Sequence, residues 1–233
     1  MGSLSLKSEH AKHRASHLYL ARHGETEWNR VGRWQGHTDI PLSDVGRQQA
    51  HILSQRIARL GIGVVFASDL SRAVETAALV ARARNLPMPA VDARLRERGF
   101  GCFEGLTRDE CAERFPEAWA LYQKDRQVMP PGAEASGAVI HRMMSALSDI
   151  AERLDAHGDG DFQREGHAAL VVSHGGALRL FAHAVTGHMP APLANGALLR
   201  VVYESGVFSS IDLLEDRPEE STNDDARPPL PSS

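Results

Sequence analysis

The chain has 233 residues, 42% of them hydrophobic and 24% charged, with a formal net charge of −4. That length can bury a full core in one large domain or two small ones, and the composition is that of a soluble globular protein. The charge gives no support for nucleic-acid binding, no stretch is apolar for long enough to span a membrane, and two cysteines without CxxC spacing outline neither a zinc site nor a disulfide framework.

In chain order, residues 1–16 are polar and lack the apolar stretch of a secretory signal, so they read as a disordered lead-in. Leu18–Ala21 reads as a strand, and Ser43–Leu60 as a helix, with apolar residues at helical spacing at Val45, Ile52, Leu53, Ile57 and Leu60. A second strand at Val64–Ala67 and a second helix at Asp69–Arg84 follow. The stretch 104–131 is irregular, charged and aromatic, and suits a helical cover. Ser136–Ala156 is helical, Ala168–Val172 a strand, and Ala177–Val185 a shorter helix ended near Gly187 and Pro190. Leu198–Tyr203 and Val207–Leu213 flank Ser205-Gly206 and read as a hairpin. Residues 215–233 carry six acidic residues against two arginines and read as a disordered tail, which leaves one folded domain over 17–214.

Strand-helix alternation predicts an α/β protein: a three-layer α/β/α sandwich with a mainly parallel sheet and an antiparallel edge. Ligands in such sheets bind beyond the carboxyl ends of strands. Arg22-His23, Ser68 to Arg72 and Ser173-His174 all lie there. A histidine beside an arginine at a strand end suits phosphoryl chemistry. His23 is a candidate nucleophile if neutral, and nearby arginines disfavour a second cation. Arg22 and Arg72 are candidate clamps, because a guanidinium donates in pairs and stays charged. His174 precedes Gly175-Gly176, where the backbone can approach a ligand.

Glu97 is the candidate proton donor. It stands among Arg94, Arg96 and Arg98, so a structural ion pair is the competing explanation, and Glu25 is a competing acid. Taken singly, each of these residues has an ordinary reading as a loop, surface or ion-pair residue. Their order along the chain weighs against it.

The segment from Leu20 to Thr26, Leu-Ala-Arg-His-Gly-Glu-Thr, resembles the signature of the histidine phosphatase superfamily, the phosphoglycerate mutase-like family. Segments 32–43, 68–73, 95–105 and 173–176 resemble its further blocks in order. The resemblance implies a phosphoglycerate mutase-like fold and a phosphohistidine mechanism that needs no metal and no cofactor. It also implies a phosphate pocket of Arg22, His23, Arg72 and His174, with Glu97 as proton donor and Asn29 and the backbone around Gln35-Gly36 as further phosphoryl contacts.

Three departures stand out. Asp69 replaces a frequent proline, which is harmless if it caps the following helix. Cys102 replaces a polar residue, and Pro131 to Ala135 lacks a usual serine. The mutases of the family carry a long insertion after the acid segment, and 104–131 is short by comparison. The expected activity is therefore that of a cytoplasmic phosphoric monoester hydrolase, histidine acid phosphatase-like, acting on a small phosphorylated metabolite. A bisphosphoglycerate-dependent phosphoglycerate mutase is the alternative, and a non-catalytic phosphate-binding protein a second one. Oligomeric state is open, with a homodimer as one option.

Overall fold

The computed structural model describes residues 15–126, 128–156 and 168–214. The segments predicted to be disordered, 1–16 and 215–233, lie outside these residues except for Ala15 and Ser16. Ser16 opens the first strand, two residues before the predicted strand start at Leu18 and one before the predicted start of the domain. It is 3% exposed, and its hydroxyl donates to Ala151 O and Asp155 Oδ1 at 3.2 and 2.6 Å.

Six strands form one sheet in the order β3-β2-β4-β1-β5-β6. β1 (Ser16–Arg22) and β4 (Ala168–Ser173) are parallel neighbours in the middle. β2 (Ile62–Ala67) continues the parallel set and β3 (Ala90–Val91) closes it. β3 has two residues, too few for any periodicity, and was not predicted. On the other side β5 (Leu198–Glu204) runs antiparallel to β1, and β6 (Val207–Leu214) antiparallel to β5. The antiparallel edge is thus this hairpin, with β5 the strand that runs against all others.

A single helical turn, α1 (Glu27–Arg30), follows β1, and alternate residues of the central strands face two cores. Leu18, Leu20, Ala169 and Val171 pack with α6 (Ser136–Ala156) and α7 (Gly175–Thr186). Tyr19, Ala21, Leu170 and Val172 pack with α2 (Asp44–Arg56) and α3 (Ser71–Ala83). Strands covered on both faces are apolar throughout, which is why β4 reads as a continuous run and is buried over its whole length. Each fully buried leucine here contributes about 1.5–3 kcal/mol, the main force holding the three layers together.

The helix ends follow local chemistry. The hydroxyl of Ser43 accepts from Gly46 N and starts α2. That helix stops at Arg56, short of the predicted Leu60, which packs on the second core from the following turn. α7 ends at Gly187, whose φ of 75° is the left-handed conformation glycine adopts freely. Asp69 does not cap α3. It pairs with Arg96, and Ser71 N instead donates to Asp39 Oδ1 at 2.8 Å. The predicted cover is real. α4 (Arg108–Arg114) and α5 (Pro116–Lys124) bury Phe103, Leu106, Cys111 and Tyr122, with Trp34, Phe100 and Cys102 packed against them.

Candidate active site

The register of β1 on β4 sets Arg22 opposite Ser173, so the next residues, His23 and His174, emerge side by side. His23 N donates to Ser173 O at 3.0 Å, and Ser68 N to Val172 O at 2.9 Å, which gathers three strand ends at one point. The two imidazoles meet edge to face with centroids 5.0 Å apart. His23 is 3% exposed and His174 fully buried.

Their hydrogen bonds fix the tautomers. The Nδ1 of His23 lies 2.6 Å from Gly24 O, and a carbonyl only accepts, so Nδ1 holds the proton and Nε2 keeps its lone pair. In His174 the opposite holds. Arg72 Nε donates to its Nδ1 at 3.3 Å, which puts the proton on Nε2, an atom without a partner among the described residues. Burial, then Arg72, then Arg22 hold His23 well below the usual 6.5. Burial, then Arg72 and His23, do the same for His174. Both rings are neutral near pH 7.

Arg72 lies in the first turn of α3 and is fully buried. Besides His174 it donates to Thr38 O and Gly36 O at 2.9 and 2.8 Å. Those carbonyls belong to a loop held by Glu104, whose carboxylate accepts from His37 N, Thr38 N, Thr38 Oγ1 and Phe100 N. Gly36 has a φ of 54°, and a Cβ there would overlap the Glu104 carboxylate. Arg22 donates to Leu193 O at 2.5 Å, while its buried Nε has no partner among the described residues. Burial lowers both arginines from their ordinary value, yet a guanidinium keeps its charge at neutral pH.

Glu97 is not an ion-pair partner of its neighbours. Arg94 pairs with Asp92 and Asp149, Arg96 with Asp69, and Arg98 Nε donates to Glu134 O. The Glu97 carboxylate instead accepts from Arg98 N and Ala177 N at 2.8 Å and from Gly176 N at 2.9 Å, at the start of α7. A helix N-terminus suits an anion there. Glu25 turns away to accept from the Ser43 hydroxyl at 3.1 Å.

Arg22, His23, Asn29, Gln35, Gly36, Arg72 and Glu97 line one lobe of a cleft, of about 580 Å³. Fully buried His174 packs against His23 and Arg72. Asn29 Oδ1 accepts from Thr26 N and Asn195 Nδ2, which leaves its amide NH₂ as the group free to donate. Gly36 contributes its carbonyl to Arg72, and the buried Oε1 of Gln35 has no partner among the described residues.

The family described as the histidine phosphatase superfamily (branch 1) matches residues 18–215. The chain belongs to the histidine phosphatase superfamily. It is 34% identical over 190 residues to a metal-independent phosphoserine phosphatase of Arabidopsis thaliana, covering 80% of this chain and 75% of that protein. It is 37% identical over 194 residues to a probable phosphoglycerate mutase of Yersinia pestis, covering 80% and 85%. Among solved structures, a mycobacterial glucosyl-3-phosphoglycerate phosphatase in complex with VO3 is 26% identical with a TM-score of 0.70, covering 80% of this chain and 90% of that one. A putative α-ribazole-5′-P phosphatase of Escherichia coli is 28% identical with a TM-score of 0.72, covering 88% and 98%.

Four further residues shape the site without having been given a role from the sequence: Asp39 and Glu104 lie in the family-like segments 32–43 and 95–105, and Arg142 and Asn195 lie outside them. Arg142, in mid-helix, donates to the carbonyls of Arg94, Arg96 and Glu97 and pairs with Glu134, so it fixes the backbone that carries Glu97. Asn195 bridges His23 O and Asn29 Oδ1. Glu104 and Asp39 tie down the loop and the helix that hold Arg72. All four act by hydrogen bonds to distant backbone or polar groups, which residue type and spacing do not reveal.

Proposed function

We propose that this superfamily enzyme hydrolyses the phosphate monoester of a small metabolite through a phosphohistidine on His23, with Glu97 moving the protons. The observation that carries the reading is the free Nε2 of a neutral His23 in a cleft shared with Arg22, Arg72 and the carboxylate of Glu97.

The Nε2 lone pair attacks phosphorus as the bond to the leaving oxygen breaks, and Glu97 gives that oxygen a proton so that an alcohol departs. Water then attacks the phosphohistidine. Glu97 takes a proton from it, the P–N bond breaks, and inorganic phosphate leaves. Arg22, Arg72 and the Nε2–H of His174 are the donors for charge on the phosphoryl oxygens during both steps, where catalysis of this type gains most. The short two-helix cover of α4 and α5 supports hydrolysis over mutase chemistry.

The test is phosphate release from p-nitrophenyl phosphate and from a panel of sugar and glycerate phosphates, together with trapping of labelled phosphoenzyme under alkaline quench. His23→Ala is expected to lose both turnover and label while its circular dichroism stays that of the parent. Wild-type turnover in that variant would move the nucleophile elsewhere. Bisphosphoglycerate-stimulated interconversion of 3- and 2-phosphoglycerate without phosphate release would establish the mutase reading instead.

A further inference from the structure

The loop before β5 ties down the strand end that carries the nucleophile. Ala194 to Ala197 form a tight turn, closed by Ala197 N donating to Ala194 O at 3.1 Å, with Gly196 in the left-handed region at a φ of 74°. Arg22 N donates to Ala197 O at 3.0 Å and Gly196 N to Arg22 O at 3.1 Å, so the turn is bonded to Arg22 through both of its backbone groups. Arg56, the last residue of α2, donates to Gly196 O at 2.9 Å and to Leu214 O at 2.7 Å, and so braces the turn against the end of β6.

Asn195 stands in this turn, half-buried, and is not one of the residues that line the cleft. Its amide nitrogen lies 3.1 Å from His23 O and 3.2 Å from Asn29 Oδ1. A carbonyl only accepts, so it is the NH₂ that faces His23, and its second hydrogen is the one that meets Asn29. Asn29, in the single turn of α1, does line the cleft beside His23 and Arg22. Its Oδ1 also accepts from Thr26 N at 3.1 Å, a backbone group that can only donate. An Asn29 amide turned the other way would set its NH₂ against both donors. The direction matters for an anion, because an NH₂ attracts phosphoryl oxygens and an amide oxygen repels them. Without Asn195 the only fixed donor to Oδ1 is Thr26 N, since the Thr26 hydroxyl at 3.2 Å can serve either orientation.

We propose that Asn195 is a positioning residue for phosphoryl transfer. One NH₂ group anchors the backbone carbonyl of the nucleophile and sets the direction of the Asn29 amide, so that Asn29 meets the phosphoryl group as a donor. This rests on the monoesterase reading, which takes the phosphoryl group to lie against His23.

A double-mutant cycle on the full chain tests it, with turnover of p-nitrophenyl phosphate and competitive inhibition by inorganic phosphate as readouts. Asn29→Ala and Asn195→Ala should each weaken phosphate inhibition by about threefold to tenfold, the worth of one ordinary hydrogen bond. Asn195→Ala should also lower kcat, through the lost tether on His23 O. In an Asn29→Ala background there is no amide to direct. Asn195→Ala should then leave phosphate inhibition unchanged and still lower kcat, a division that a general loss of stability would not produce. Asn195→Asp keeps the size but sets an acceptor against Asn29 Oδ1. It should weaken phosphate inhibition more than Asn195→Ala does, and that excess should vanish when Asn29 is alanine. The same comparison stands on Asn195→Asp alone if Asn195→Ala does not fold.

Equal effects of the Asn195 variants on phosphate inhibition in both backgrounds, or none in either, overturn the positioning role and leave the monoesterase reading standing. So does an Asn29→Ala variant that phosphate inhibits as well as the parent. A parent protein that hydrolyses neither p-nitrophenyl phosphate nor any other monoester overturns both readings.

Discussion

At the scale of single residues, the proposed chemistry depends on where protons sit. The Gly24 carbonyl and the Arg72 guanidinium leave opposite nitrogens of His23 and His174 free, a lone pair on one ring and an N–H on the other. Glu97 is the remaining proton carrier, and Glu97→Gln isolates that role. Glutamine keeps the size and one acceptor oxygen but cannot give a proton. It also leaves one backbone N–H without an acceptor, a structural defect that affects all substrates alike. Turnover of alkyl phosphates, whose leaving groups need the proton, is expected to fall by about 10²–10⁴, the usual worth of general acid catalysis. p-Nitrophenyl phosphate should lose much less, because nitrophenolate leaves without help. Parallel kcat measurements on the two substrates check this, and an equal loss would remove the acid role.

At the scale of elements, glycines decide which backbones and side chains approach each other. A Cβ on Gly176 would lie 2.6 Å from Glu97 Oε1, the far end of a flexible side chain, so Glu97 would yield and the helix would not. A Cβ on Gly46 would run into the backbone of Glu25, which cannot move aside. Gly176→Ala should therefore leave the melting temperature near that of the parent, since alanine favours a helix by up to about 1 kcal/mol over glycine, and should depress kcat by displacing the carboxylate. Gly46→Ala should lower the melting temperature first. Thermal unfolding and turnover on the same preparations distinguish the two, and full activity in Gly176→Ala would mean that the seat of Glu97 on α7 is unimportant.

Legibility at this scale followed pattern length. The buried β4 and the amphipathic α6 and α7 carry many residues of periodic signal and were readable. The two-residue β3 and the exact end of α2 depend on tertiary pairing and were not. In the site, His23, Arg72 and Glu97 were readable by residue type at strand ends and in a family-like order. Arg142 and Asn195 were not, because each acts on backbone and amide groups far away in the chain.

At the scale of the whole molecule, folding takes two imidazoles from water and sets them beside fixed cations, and this links stability to pH. Both His23 and His174 are held well below the usual 6.5 in the folded chain. A group of this kind binds its proton in the unfolded chain at a pH where the native state stays unprotonated. Unfolding then takes up protons, so the contribution is complete above about pH 6.5 and shrinks as pH falls toward the folded values. Each histidine contributes a slope of up to about 1.4 kcal/mol per pH unit in that window. The carboxylates held low in the native state, Asp69, Asp92 and Glu134 among them, start from 3.8 or 4.5 and act at lower pH. Between about pH 6.5 and about pH 5 the buried histidines should therefore dominate. Urea unfolding at about pH 7.5, 6.5 and 5.5 is expected to show little change in the first interval and a marked loss in the second. His174→Asn should halve the slope of that loss whatever it does to absolute stability. A flat stability profile down to about pH 5.5 would mean that the native state accepts a charge on these rings, and a neutral nucleophile at the junction of β1 and β4 would then be untenable.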